Sequence, residues 1–472
     1  MRPILFLAAA AFSAQAQTAK QQLTSSIDAK FANYRSVANQ IWSLAEVGYQ
    51  ETQSSALLQS ELTKAGFKVQ AGVAGMPTAF VAEYASGKPV IGILAEFDAL
   101  PGLSQNVATE RSPIEGKHAG HACGHHLFGT ASVAAGIAVK EWLQSSGRTG
   151  TIRVYGTPAE EGGGGKIYMV RAGLFRDADV VLDWHPGSSN NASPGSSLAN
   201  KSGKFRFRGI SAHASGAPWR GRSALDAVEA MNHMVDMLRE HVPDGTRIHY
   251  VITRGGEAPN VVPDFAEAYY YVRHRDAKIV NDVWDRVVKA AEGAALGTET
   301  RMEQEVVNGV HALLPNTTIA RVVDANLRAV GGVTYTAEER TFAEKLQSTL
   351  GRDVPPVTQA AAIATFTEDV DAGGSTDVGD VSWVVPNGGL SAATWVPGTP
   401  AHSWQAVAAG GMSIGHKGML VAAKTLALTV HDLMTDPAIV QKARAEFDQK
   451  RGPNYVYRPL IGERAPPLDY RR

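Results

Sequence analysis

Three short segments constrain the fold more than any other feature of the chain: PVIGILAEFDALPG at 89–102, TIRVYGTPAEEGGGGK at 151–166 and DVVLDWHPG at 179–187. Each opens as a short apolar, β-branched run and closes in a polar or glycine-rich loop, the pattern of a strand and its loop. Helical stretches at 126–145 and 164–173 lie between them. Ahead of them, 20–46 and 52–65 carry helical apolar spacing and end at KAGF, where Gly66 suits a helix terminus. Strand alternating with helix predicts an α/β fold with a largely parallel central sheet flanked by helices. In such sheets ligands bind beyond the carboxyl ends of the strands.

Those ends hold Asp98, the adjacent pair Glu160 and Glu161, and His185. The segment HAGHACGHHLFGT at 118–130 adds four histidines and the chain's one cysteine, Cys123. A lone cysteine has no intrachain disulfide partner, and on its own reads as a small buried hydrophobe. Here its neighbours matter. His121 and His125 each stand two positions away, and in extended or loop backbone such residues share a side. A thiolate among imidazoles is a strong, soft site for a transition metal. Cys123 and His125 at a helix start, with the acids and His185, suffice for a dinuclear centre with a carboxylate to spare. An isolated pair of glutamates is usually a solvated loop, but this one sits between a buried strand and the glycines 162–165, which permit close backbone approach. The glycine run is no phosphate loop, because Ile167 follows Lys166 where Ser or Thr is needed.

At 472 residues, 44% hydrophobic and 19% charged, the chain can build one large core or two ordinary ones. A net charge of -1 offers no basic footprint for nucleic acid, which leaves small molecules as the expected partners. Arg2, the apolar stretch from Ile4 to Phe12 and Ala14-Gln15-Ala16 read as a signal peptide, residues 1–16, cleaved after Ala16. The expected location is periplasmic or secreted. No other stretch reaches the roughly 18 apolar residues of a membrane span.

Beyond residue 197 the pattern changes. GKFRFRGI alternates as a strand, SALDAVEAMNHMVDMLREHV has helix spacing, RIHYVITRGG and FAEAYYYVRHRD alternate again, and a helix near 278–295 precedes RMEQEVVNGV. Strand, helix, two strands, helix, strand describes a small, ferredoxin-like α+β domain. We read 199–313 as an insertion that divides the first domain into 17–198 and 314–445. DVPPVTQAAAIATF and VSWVVPNGGLSAATWVP look like returns to the first sheet, and 446–472 reads as an extended, proline-containing arm.

Five separated blocks carry a resemblance over roughly residues 25–440: GHACGHHLFGT, TPAEEGGGGK, GISAHASGAPWRGRSALDAVE, APNVVPD, and GSTDVGDVSWVVP with GTPAHSW. They resemble the dinuclear-metal amidohydrolases, in the branch of indole-acetyl-amino-acid hydrolases and aminoacylase-type carboxypeptidases. The resemblance implies a catalytic α/β domain interrupted by a lid that is also the dimerisation domain, hence a homodimer. It implies Cys123, His125, Glu161, His185 and His402 as ligands of two divalent metal ions, Zn or Mn, and Glu160 as general base. His213 would steady the oxyanion, and Asn260 and Arg273 would bind substrate oxygens or the free carboxylate. One departure stands out, since His126 occupies a position where many relatives carry Asp.

Amides resist hydrolysis because water is a poor nucleophile and the tetrahedral oxyanion is unstable, and paired metal ions answer both problems. The expected substrate is an N-acyl or N-aroyl amino acid of the aminobenzoyl-glutamate kind, with a metal-dependent dipeptidase or carboxypeptidase as the alternative. Two remoter readings have their own signals. GMSIG at 411–415 fits G-x-S-x-G with Ser413 as nucleophile and His431 and Asp432 downstream, but HSWQAVAAGG before it lacks the strand a nucleophile elbow needs. A non-catalytic periplasmic binding protein would have no use for Glu160 beside Glu161. Trp184, Trp219, Trp395 and Trp404 lie near the motifs as an aromatic wall or as packing.

Overall fold

The computed structural model describes residues 17–471 except 369 and 372, so the expected signal peptide lies outside the described residues. The central sheet is built from Lys68–Ala71 (β1), Phe80–Ala85 (β2), Val90–Ala95 (β3), Thr151–Gly156 (β4), Val180–Gly187 (β5) and, far along the chain, a strand at Asn387–Ala393. Its order is β1-β2-β4-β3-β5 followed by that last strand, with β2 alone antiparallel to its neighbours. All six residues of β3 are buried, which explains why its sequence is continuously apolar rather than alternating. The helices His125–Ser146 and Ser413–Thr435 pack on each other, the first across β3, β4 and β5. Close seating of the first helix needs Gly129, since a Cβ there would lie 2.7 Å from the Glu96 carbonyl oxygen at the end of β3.

The inserted domain has its own core around Phe205, Phe207, Tyr270, Trp284 and Val287. Ala199–Arg208 (β6), Arg247–Arg254 (β7), Phe265–His274 (β8) and Arg301–Val310 (β9) form an antiparallel sheet in the order β7-β8-β6-β9. The helices Ala224–Leu238 and Ala277–Gly297 cover one face. This is the ferredoxin-like order expected, and we number the late strand of the central sheet, Asn387–Ala393, β10.

Three expectations change. DVPPVTQAAAIATF is no strand: Val357–Ala361 is a 3-10 turn and Ile363 makes a single bridge to Asn190. Pro355 and Pro356 supply no N–H for a ladder. Of VSWVVPNGGLSAATWVP, only Asn387–Ala393 is strand, and its first residues end the helix Val378–Ser382. The helix Pro437–Arg451 also runs past residue 446, so the arm leaves the helical layer only after Arg451. No helix among the described residues is long and apolar enough to cross a membrane.

Candidate metal centre and active site

Glu96 and Asp98 follow β3 directly, two positions apart, and both are buried. Asp98 ties two segments together. Its Oδ1 lies 2.9 Å from His125 Nδ1, and its Oδ2 accepts the Glu161 N–H at 2.9 Å. His125 therefore turns Nε2 inward. Between Cys123 and His125 the backbone passes through Gly124 at φ 75°, where a Cβ would meet Pro186 Cβ at 2.6 Å. Only glycine lets both ligand candidates converge there.

His185 comes from the carboxyl end of β5. Its Nδ1 pairs with the Pro186 carbonyl at 2.7 Å, leaving Nε2 as the lone-pair nitrogen, 3.4 Å from Cys123 Sγ. His402 takes a left-handed φ of 57°, pinned by its N–H to the Ala122 carbonyl at 3.0 Å, and brings Nε2 within 3.2 Å of Glu161 Oε1. Such a backbone costs on the order of 1–3 kcal/mol and persists where its surroundings impose it.

Two groups of potential ligands result, Cys123 with His125 and His185, and Cys123 with Glu161 and His402. The ligand atoms within each lie within 4.8 Å of one another, and Cys123 belongs to both. His125 Nε2, 3.1 Å from Glu96 Oε2, and Glu161 Oε1, 3.2 Å from His402 Nε2, are buried without a well-formed hydrogen bond, one in each of the two ligand groups, which is what a cation in each group would satisfy. Burial pushes the Cys123 thiol up; a bound cation is what would make a thiolate of it there. The donor set fits two divalent ions.

Behind these groups lies a buried lattice of charge. Lys166 Nζ meets Glu96 Oε1 and Asp377 Oδ1 at 2.6 Å each, all three side chains being almost fully enclosed. Burial opposes the ammonium charge, but Asp377 and Glu96 hold its pKa well above the usual lysine value. Glu160 stands in a further group with Glu96 and His125. Desolvation, then the carboxylates of Glu96, Glu161 and Asp377, push Glu160 well above the usual range against the pull of Lys166.

A model of the peptidase dimerisation domain matches residues 199–299, the span of the ferredoxin-like insertion up to β9. Over 452 residues the chain is 42% identical to a p-aminobenzoyl-glutamate hydrolase subunit of Escherichia coli K12, covering 90% of this chain and 93% of that one. The chain belongs to the M20 peptidase family. It is a metal-dependent amidohydrolase with a dimerisation domain. Xaa-Arg dipeptidase of Mus musculus is 30% identical over 454 residues, 93% of this chain and 94% of its own. Two solved structures share the fold. Aminobenzoyl-glutamate utilization protein from Klebsiella pneumoniae has a TM-score of 0.62 at 19% identity, over 88% of this chain and 98% of its own. A dinuclear metal-binding M20 peptidase from Bacillus subtilis has a TM-score of 0.58 at 16% identity, over 86% and 99%.

In this M20 chain the remaining residues singled out from sequence fall in several places. His121 and His126 turn away from the cluster, toward the carbonyls of Ile41 and Gly410 at 3.0 Å each. Burial holds the pKa of both below the usual histidine value, His121 at about 3, so both are neutral. His213 is exposed in the lid, and its Nδ1 accepts the N–H groups of Ser215 and Gly216 at 3.3 and 3.1 Å. Asn260 is exposed beside it, its carbonyl accepting the Ala214 N–H at 3.0 Å. Among the described residues neither hydrogen-bonds to the Cys123 groups. Arg273, on β8, donates to Ser375 Oγ at 3.3 Å and keeps a buried Nε without a partner. Trp184 is core, donating to the Phe128 carbonyl, whereas Trp219 is 72% exposed in the lid.

Ser413 opens the helix Ser413–Thr435, and the helix Trp404–Gly410 comes before it in place of a strand. His431 lies further along the same helix as Ser413, roughly 27 Å away at about 1.5 Å per residue. No triad forms. Sequence reasoning gave no role to Glu96, Lys166, Asp377 or Glu51, whose Oε1 accepts the Ala159 N–H at 2.9 Å. For Glu96 a signal existed, since it shares with Asp98 the period-2 side of a strand end.

Proposed function

We propose that the chain hydrolyses the amide bond of an N-acyl or N-aroyl amino acid, with an aminobenzoyl-glutamate-like compound as the leading substrate. Cys123, His125, Glu161, His185 and His402 hold two divalent cations, and thiolate and imidazole favour zinc over manganese among them. The carrying observation is the pair of ligand groups that share Cys123 beside Glu160. The 42% identity to the p-aminobenzoyl-glutamate hydrolase relative supports that substrate class ahead of the dipeptide suggested by the Xaa-Arg dipeptidase relative.

When bound, the cations supply Lewis acidity and acidified water at neutral pH. Glu160 takes the proton of the attacking water and returns it to the departing amine, a role usually worth about 10² to 10⁴ in rate. With Nδ1 accepting backbone N–H groups, His213 carries its proton on Nε2, the form that donates to an oxyanion. Because His213 and Asn260 belong to the lid, the lid must meet the catalytic edge over the substrate. Arg273 offers its unpartnered guanidinium nitrogen to the substrate carboxylate. The chain works as a homodimer through the lid, where edge strand β7 exposes Val251 and Ile252, and it acts in the periplasm or outside the cell after cleavage following Ala16.

The test is release of p-aminobenzoate from p-aminobenzoyl-glutamate by protein stripped with a chelator and reloaded with zinc or manganese, beside a panel of acyl amino acids and Xaa-Arg dipeptides. Activity that is lost on stripping and regained with either ion is expected. Full activity without bound ions would end the reading. Light scattering and amino-terminal sequencing of the exported protein check the dimer and the cleavage.

A further inference from the structure

The arm that follows Arg451 does not trail into solvent. Arg464 donates to the Val306 carbonyl of β9 at 2.6 Å and to the Tyr168 hydroxyl at 3.2 Å, so the arm spans lid and catalytic domain. Its last residues then return to the Glu160–Glu161 loop. Tyr470 donates its hydroxyl to the Glu161 carbonyl at 2.9 Å, and Arg471 donates to the same oxygen at 2.8 Å. Gln50 fixes the Leu468 carbonyl at 2.8 Å. The Tyr470 ring packs edge-on against Tyr49, centroids 5.7 Å apart, and Tyr49 in turn donates to the Gly163 carbonyl at 2.9 Å.

We propose that Tyr470 and Arg471 are positioning residues that hold the Glu160–Glu161 loop in its working conformation, an inference that rests on the metal-hydrolase reading above. The loop needs holding. Ala159 sits at φ 56° and the glycines 162–165 follow, a stretch with much backbone freedom to lose. A carbonyl oxygen has two lone pairs. Both are used here, which fixes the peptide plane after Glu161. A shift of that plane not taken up by compensating rotation at the glycines moves the Glu161 Cα, and with it the Glu161 ligand oxygen and the adjoining Glu160. Because catalytic groups displaced by about 1 Å can lose on the order of 10²-fold in rate, an anchor on the backbone acts on both at once.

Four variants separate this role from simple docking of the arm: Tyr470→Phe, Arg471→Ala, Arg471→Lys and the double change Tyr470→Phe with Arg471→Ala. Each is measured for kcat and KM on p-aminobenzoyl-glutamate, for zinc affinity by calorimetry on stripped protein, and for thermal midpoint. The double variant is expected to lose about 10-fold in kcat or zinc affinity, as outer partners of a metal site do, with KM within about twofold and an unchanged midpoint. Arg471→Lys, which keeps a cationic donor, recovers most of the loss. Wild-type zinc affinity and kcat in the double variant overturn the proposal. So does a loss that follows a lowered midpoint and that Arg471→Lys does not restore. If wild-type protein binds zinc yet hydrolyses no amide, the hydrolase reading falls, and the zinc titration alone decides the role of Tyr470 and Arg471.

Discussion

The edge of the catalytic domain around Cys123 and the tip of the lid around His213 serve one proposed reaction, yet they are built in opposite ways. At the catalytic edge buried anchors each hold more than one group or are doubled on one: Asp98 holds both His125 and the Glu161 backbone, Lys166 holds Glu96 and Asp377, and Tyr470 with Arg471 holds the Glu161 carbonyl. At the lid tip His213 and Asn260 are exposed, and their bonds reach only neighbouring turns. Cations and a general base need fixed distances before substrate arrives, because misplacement is costly. A donor to the oxyanion is needed only once substrate is bound, so it can stand on an exposed tip outside the fixed lattice.

The sharpest way to break this contrast is at the catalytic edge. Glu160→Gln is expected to lower kcat by about 10² to 10⁴ while bound zinc, measured by elemental analysis, stays at the wild-type ratio. Equal loss of metal and turnover would make Glu160 a ligand and dissolve its separate role. Next in size is Lys166→Met, which leaves Glu96 and Asp377 as buried carboxylates with no cation. Urea denaturation should show about 3–5 kcal/mol lost, the usual penalty for breaking a buried ion pair from one side. The lid offers a counterpart in Arg208 and Glu303, 3.0 Å apart and solvent-exposed. Removing Arg208 should cost less than about 1 kcal/mol.

His213→Ala tests the other half. A loss of about 10² to 10³ in kcat is expected, with metal content and thermal midpoint unchanged, since the side chain is exposed and bonded only locally. A lowered midpoint would place His213 in the structure of the lid and return the contrast to a single, uniformly rigid site.

Much of this was legible in the chain itself. Short apolar, β-branched runs that stop at acids and histidines mark strand ends, so Asp98, Glu161 and His185 could be brought to one edge from pattern alone, with Cys123 joining them from a helix start. The lid was legible because its alternating and helical segments occur in a fixed order with little insertion. What stayed hidden depends on distance along the chain. Lys166 reads as a failed phosphate loop until Asp377, 211 positions later, is placed beside it. The arm reads as a loose tail until Tyr470 meets the carbonyl of Glu161, 309 positions earlier. Local pattern contains no term for such pairs. The stretch 353–366 misleads for a different reason: its apolar residues suggest a strand, while Pro355 and Pro356 forbid the ladder.

The smallest effect extends the comparison to helix ends outside the site. In the lid, the helix Ala277–Gly297 is capped by one side-chain bond, from the Lys278 N–H to Asp276 at 2.8 Å. In the catalytic domain, the helix Thr317–Val330 has Asn316 as its cap and a second acceptor, Glu446, from a neighbouring helix. Glu446 accepts from the N–H groups of Thr317 and Thr318, the Thr318 hydroxyl and Lys450. Burial opposes its ionisation, but the Lys450 and Thr318 bonds outweigh it and hold the pKa at about 2, against an ordinary 4.5. A carboxyl depressed in this way contributes stability that is full above the unfolded value and is lost as pH falls from 4.5 toward 2. Glu446→Gln should therefore cost about 1 kcal/mol at pH 7, the usual size of a helix cap. Urea midpoints of variant and wild type should converge as pH is lowered through that window. Asp276→Asn, which keeps a good capping oxygen, should change little at either pH. A Glu446→Gln penalty as large at pH 2.5 as at pH 7 would assign the loss to packing and leave the two domains alike in how their helices are capped.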